Sequence, residues 1–281
     1  MIRKPLQSAE RVSAHDPSDN YVYQRSLLAY HYAAERVSGD VLEIGTGSGY
    51  GVRIIAPKVR SYITIDKYDC NLDLAQCPNV EFRRMKVPPL GTIASASVDF
   101  VVTFQVIEHI ADDRALVAEI ARVLRPGGQL VVSTPNKAMS LTRNPWHVRE
   151  YTPAELANLL GREFYQIEEL GVLGNDRVME YYERNRRSVE RYAAFDPLRL
   201  RERLPRWMLR APYDVLNRVN RRRLLASSPG GADSPGDPTG AGGIAMDDYR
   251  VAPVEQESSA GSAGEGCFDL LYIATKDYTP V

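Results

Sequence analysis

One short stretch constrains this chain more than any other. Gly45-Thr46-Gly47-Ser48-Gly49 follows directly on the apolar run Val41-Leu42-Glu43-Ile44, and a helical pattern from Tyr50 to Ala56 comes next, stopped by Pro57. Glycine at 45, 47 and 49 permits positive φ and lets a ligand come close to the main chain. A strand, a glycine turn and a helix in that order open a βα unit. The turn then lies at the carboxyl end of a first strand, where open α/β sheets keep their ligand crevice.

The rest of the pattern supports such a sheet. Tyr62 to Asp66 reads as a second strand, Val80 to Phe82 as a third and Asp99 to Phe104 as a fourth. Asp113 to Leu124 is an amphipathic helix with Leu116, Val117, Ile120 and Leu124 on one face. Arg125-Pro126-Gly127-Gly128 turns into a fifth strand, Gln129 to Ser133. Thr152 and Pro153 start a further helix as N-cap and first residue. Ile167 to Leu173 and Phe268 to Ala274 complete the set. Short, continuously apolar strands alternating with helices predict a doubly wound, seven-stranded, mostly parallel α/β sheet, with an insertion before the last strand. The expected organisation is an N-terminal segment and lid helix (1–40), an α/β core (41–175), a basic helical insertion (176–226), a disordered Gly/Ser/Pro/Ala-rich linker (227–266) and the final strand (267–281).

Composition sets bounds on partners. A net charge of −1 over 281 residues provides no global field toward nucleic acid, so no nucleic acid is expected. Cys70, Cys77 and Cys267 have neither disulfide-framework nor metal-ligand spacing, which predicts no metal site and a reducing, cytoplasmic setting. No apolar run approaches the ~20 residues that cross a bilayer.

The acids around the turn point to a ligand. Glu43 lies two residues before the first glycine, and Asp66 ends the next strand, where a carboxylate can take both hydroxyls of a ribose. Two carboxylates and no basic residue in the turn suit a cationic, amino-acid-bearing nucleoside better than a pyrophosphate. Val41 to Gly49, Asp66, Asp99 to Ile110 and Leu124 to Gly128 together resemble the ordered motifs of class I S-adenosylmethionine (SAM)-dependent methyltransferases, in particular the ubiquinone-biosynthesis O-methyltransferase type. The resemblance implies SAM as cofactor and an antiparallel last strand, and it carries cofactor contact to Glu43, Gly45, Thr46, Gly47, Gly49, Asp66, Lys67, Phe104, Gln105 and His109. The family's acid after the third strand is missing from Phe82-Arg83-Arg84-Met85, so Met85 is expected to pack on the adenine instead. Tyr23 and Arg25, on the first helix, are expected to stack on the ligand and to meet the methionine carboxylate.

Beyond the fifth strand, Asn144-Pro145-Trp146-His147-Val148-Arg149-Glu150-Tyr151 lies where acceptors bind in such folds. His147 is the candidate catalytic residue, as a base for an acceptor hydroxyl. The segment 199–223 combines arginines, Trp207 and apolar residues at helical spacing, which predicts peripheral contact with an anionic membrane. The expected reaction is methyl transfer to an oxygen of a small-molecule, glycan or lipid-linked acceptor. A nicotinamide-dependent oxidoreductase on a similar sheet and a non-catalytic SAM-binding adaptor are the rival readings.

Overall fold

The computed structural model describes residues 19–70, 74, 77–194, 204–226, 244–254 and 266–278. The chain divides into two compact units. The larger comprises Ser26–Ser140, His147–Leu173 and Arg250–Val281 and contains the sheet. Its strands are β1 (Asp40–Ile44), β2 (Ser61–Asp66), β3 (Val80–Arg84), β4 (Val98–Phe104), β5 (Leu124–Pro135), β6 (Gln166–Gly174), β7 (Tyr249–Pro253) and β8 (Cys267–Thr275). They are ordered β3-β2-β1-β4-β5-β8-β6-β7. Pairing is parallel from β3 through β5, and β8 runs antiparallel to both β5 and β6. The order reverses between β1 and β4, so the carboxyl ends of these two strands form the topological switch point.

The sheet has eight strands where the sequence predicts seven. The added strand, β7, falls inside the predicted linker at 227–266 and lies next to β6, with the Val254 amide donating to the Glu169 carbonyl at 3.0 Å. Residues 227–243 and 255–265 of that predicted linker lie outside the described residues, as do 1–18 of the N-terminal segment. The strand sequence Tyr249-Arg250-Val251-Ala252-Pro253 has one apolar β-branched residue, too weak a pattern to stand out between Gly/Ser-rich flanks.

Helices α1 (Asn20–Ala34), α2 (Tyr50–Ile55), α3 (Asp113–Val123) and α4 (Pro153–Leu160) follow the predicted order. Asp112 caps α3 by accepting from the Ala115 amide. Thr152 and Glu155 form a reciprocal capping box on α4, with Pro153 in its first turn. The apolar face of α3 (Leu116, Val117, Ile120) is buried with Leu156 and Leu160 of α4 in the core that also holds Leu42, Val101, Leu130 and Tyr272.

At the amino ends of β1 and β4 a charge cluster ties the strands together. Arg125 donates to Asp99 at 2.6 Å and to Asp40 at 2.9 Å, and Arg60 also pairs with Asp40. The Arg60 and Ser61 side chains, with Arg125, hold the Asp40 carboxyl well below the usual carboxylate range. About one third of the Arg125 and Asp99 side chains is exposed, which screens the pair. Arg125→Ala is therefore expected to cost only about 1 kcal/mol, lowering Tm by roughly 2–4 °C. Because the folded pKa of Asp40 is depressed far below its unfolded value near ~3.9, its contribution is fully present above the unfolded value and is lost only as pH falls on through the much lower folded value. The gap between wild type and variant should thus persist in thermal melts down to about pH 4; a gap that has already closed there would contradict this account.

The smaller unit comprises residues up to Arg25, Leu141–Trp146 and Gly174–Tyr249. Its helices α5 (Asp176–Ala194) and α6 (Arg206–Ala226) are joined by a polar relay in which Ser188 donates to Asn220 at 2.6 Å and Asn220 to Asn185 at 2.7 Å. Asp19 pairs with Arg221 at 2.6 Å, and the Tyr21 and Tyr181 rings stack at 4.7 Å. The Trp146 indole donates to Asp214 at 2.9 Å under the Arg210 guanidinium. Arg199, Arg201 and Arg203 of the predicted membrane segment lie outside the described residues.

Candidate functional site

The glycine turn is held by its own backbone. The Gly45 and Thr46 amides donate to the Ile65 carbonyl, the Gly49 amide to the Thr46 carbonyl and the Gly47 amide to an Asp66 carboxylate oxygen at 3.0 Å. Gly45, Gly47 and Gly49 all have positive φ, at 96°, 55° and 78°. Four amides of the turn are thereby engaged within the protein, whereas a pyrophosphate site presents such amides to its ligand. Asp66 also accepts from the Tyr68 amide at 2.9 Å, so the acid at the end of β2 is fixed against the turn. Lys67 follows it, its ammonium 5.1 Å from the Tyr68 ring centre.

Beneath the turn lies a buried polar and aromatic layer. Glu43 is 1% exposed. Its carboxylate accepts from the Tyr30 hydroxyl at 2.6 Å and from the Thr64 hydroxyl, while Thr64 shares a 2.6 Å hydrogen bond with Thr46. Burial raises the Glu43 pKa against the pull of these donors, and burial with the neighbouring Glu43 charge raises that of Tyr30. Glu43, expected to contact the cofactor, accepts at both oxygens from hydroxyls beneath the turn. Thr46 likewise turns its hydroxyl to Thr64 and is 2% exposed. The Tyr30 ring sits edge-on to Phe104 at 4.7 Å and to Tyr50 at 5.3 Å. A Cβ on Gly51 would fall 2.0 Å from Tyr30, so α2 approaches this layer only because Gly51 has no side chain. Tyr30, Gly51 and Thr64 are not singled out by sequence. A tyrosine on an amphipathic helix and a threonine in a strand look like ordinary core positions until the sheet brings them to Glu43.

Met85 follows β3, its amide donating to the Asp66 carbonyl at 2.8 Å, which places its backbone beside that residue. Gln105 follows β4 with φ 56°, a left-handed conformation uncommon for a residue with a side chain. Its amide donates to the Ser133 carbonyl at 2.9 Å, fixing the strained residue between β4 and β5. Tyr23 and Arg25 belong to the smaller unit; the Arg25 guanidinium lies 5.2 Å from the Tyr21 ring centre.

The turn after β4 continues through Glu108 and His109. The loop after β5 comes back to it, with the Val148 and Arg149 amides donating to the Glu108 carbonyl at 2.7 and 3.3 Å. This brings the His109 and His147 rings edge to face at 5.0 Å. His147 Nδ1 is 2.6 Å from Glu150 Oε1. The buried Glu108 carboxylate accepts from the Thr134 hydroxyl at 3.0 Å; burial raises its pKa and the two histidines oppose that rise. Arg149 pairs with Asp113 at 2.7 Å, and the Tyr151 hydroxyl donates to the same carboxylate at 2.8 Å, anchoring the loop. The sequence names His109 and His147 separately; their meeting follows from parallel strands β4 and β5 ending side by side.

A model of the methyltransferase domain family matches residues 19–225. A protein of Mycolicibacterium smegmatis named a probable S-adenosylmethionine-dependent methyltransferase is 41% identical over 163 residues, covering 55% of this chain and 63% of the relative. A ubiquinone biosynthesis O-methyltransferase of Paracidovorax citrulli is 31% identical over 104 residues, covering 34% and 44%. The chain thus spans less than two thirds of the length of either relative. A crystal structure from Thermotoga maritima described as a SAM-dependent methyltransferase, possible histamine N-methyltransferase, matches with TM-score 0.50 at 14% identity, covering 92% of each chain, which shows a shared fold. With a family match across most of its length, the chain belongs to the methyltransferase domain family.

Proposed function

We propose that this chain transfers the methyl group of SAM to an oxygen of a small-molecule, glycan or lipid-linked acceptor. The observation that supports this best is the turn itself: its amides are engaged internally, and Asp66 at the end of β2 is held against it, an arrangement that suits a nucleoside better than a pyrophosphate. In this reading Asp66 takes the ribose, Met85 the adenine, and Gly45, Gly47, Gly49, Lys67, Phe104 and Gln105 surround the rest of the cofactor. Glu43 and Thr46 act from beneath the turn. Glu108, His109 and His147 form the acceptor end. The sulfonium already carries its leaving group, so alignment of the two reactants supplies much of the rate.

Asp66→Ala is expected to remove two charge-assisted hydrogen bonds to the ribose and weaken S-adenosylhomocysteine binding by about 3 kcal/mol, roughly a hundredfold. Calorimetry with S-adenosylhomocysteine and with NAD checks both sides. Binding of NAD in preference to S-adenosylhomocysteine would replace this reading with the oxidoreductase one.

The smaller unit favours a lipid-borne acceptor. Trp207 (71% exposed), Val215 (62%) and Leu216 (54%) stand out on α6, on which Arg218 and Arg223 are also exposed. Such a face suits an anionic bilayer surface. Among the described residues no helix is long and apolar enough to cross a membrane. Radiolabelled SAM added to a host extract should place label in the organic phase, reduced when Arg218 and Arg223 are neutralised. Label confined to the aqueous phase would point to a soluble acceptor, and none in any phase to a SAM-binding adaptor.

A further inference from the structure

We infer that Glu108, His109 and His147 hold a divalent transition-metal ion of the zinc class, which binds the acceptor oxygen. This rests on the proposed methyl transfer for its purpose, but not for its geometry. One ligand atom from each of the three side chains lies within 4.8 Å of the others. Ligands at about 2.1 Å from a tetrahedral ion sit about 3.4 Å apart, a spacing that rotation of two imidazoles can reach. Two histidine nitrogens and one carboxylate are a zinc-type set that leaves a position open for a substrate or water oxygen, and the imidazoles disfavour magnesium or calcium.

The surroundings orient two of the three ligands as metal sites require. Glu150 holds His147 Nδ1 at 2.6 Å, which presents Nε2 to the ion in a carboxylate–histidine–metal relay. Thr134 fixes one oxygen of Glu108. The two backbone hydrogen bonds from Val148 and Arg149 to the Glu108 carbonyl lock the two loops in register. Glu108, His109 and His147 thus meet at the carboxyl ends of β4 and β5, on the same edge of the sheet as the glycine turn that ends β1. The sequence, from which no metal site is expected, gives no sign of this cluster: adjacent Glu108-His109 and a distant His147 match no ligand spacing.

In the step this implies, the acceptor hydroxyl occupies the open position and its proton leaves to water. A lone pair of the resulting alkoxide forms the new C–O bond to the methyl group. The C–S bond breaks with its electron pair returning to sulfur, giving the methyl ether and S-adenosylhomocysteine. The ion lowers the pKa of the oxygen it binds, so His147 serves as a ligand rather than as the proton acceptor.

The test uses a tag-free full chain dialysed against a chelator and titrated with Co²⁺, whose visible d–d bands report coordination without any need for turnover. About one equivalent should give bands of a four- or five-coordinate nitrogen/oxygen site. Glu150→Gln should weaken binding by about 10- to 100-fold, and the His109→Ala/His147→Ala double variant should abolish it. Circular dichroism and S-adenosylhomocysteine binding confirm that each variant is folded. A folded wild type that gives no such bands, or a double variant that keeps them, would overturn the metal site. Bands that follow these expectations in a chain that transfers no methyl group would uphold the site and remove the methyltransferase reading instead.

Discussion

Gly45→Ala is expected to reduce S-adenosylhomocysteine affinity by about two orders of magnitude while leaving a folded protein. Position 45 has φ 96°, a conformation that L-residues rarely adopt, and a Cβ there would fall 2.4 Å from Val106 Cγ2. Strain of this kind costs on the order of 1–3 kcal/mol, and a tenfold loss of affinity corresponds to about 1.4 kcal/mol. The turn can escape only by moving, and it carries the Gly47 amide that pins Asp66. Substitution at Gly91, where a Cβ meets nothing within 4 Å, is the control and should leave affinity unchanged. Calorimetric titration of both variants decides the matter: equal affinities would mean that the turn does not bind the cofactor.

Glu43→Ala is expected to destabilise the larger unit by about 2–4 kcal/mol. It strips the buried Tyr30 hydroxyl of its acceptor and opens a cavity under the turn. Glu43→Gln keeps an acceptor and the volume, so its cost should be small, and its sign should depend on pH. The folded pKa of Glu43 is raised by burial, so its contribution to stability is fully present below the unfolded value near ~4.3 and is lost as pH rises through the folded value. Glutamine does not titrate. Its stability relative to wild type should therefore improve from acid to neutral pH. Urea unfolding at several pH values reads this directly; a pH-independent difference would show that Glu43 does not titrate abnormally. Because the same carboxylate braces the turn, Glu43→Ala should also weaken cofactor binding, whereas Glu43→Gln should largely preserve it.

What the sequence alone determined was the local grammar of the sheet. Apolar strands, the Gly45–Gly49 turn, the acid at Asp66 and the Thr152-Pro153 helix start are each set by residues within a few positions of one another. Backbone conformation and capping are short-range effects, so they can be read before the fold is known. The strands, their order along the chain and the antiparallel final strand accordingly match the structure, apart from β7, whose short and weakly apolar run gains its place by pairing beside β6. Tertiary structure alone decided what the buried polar groups do. Glu43 reads as a ligand-facing acid in sequence, and only the fold shows Tyr30 from α1 and Thr64 from β2 packed around it as hydrogen-bond donors. Glu108, His109, His147 and Glu150 carry no shared signature, and only the side-by-side ends of β4 and β5 collect them into one cluster. The physical reason is the same in both cases. A carboxylate or imidazole takes its chemistry from the partners within a few ångströms, and in a parallel sheet those partners come from strands and loops far apart in the chain.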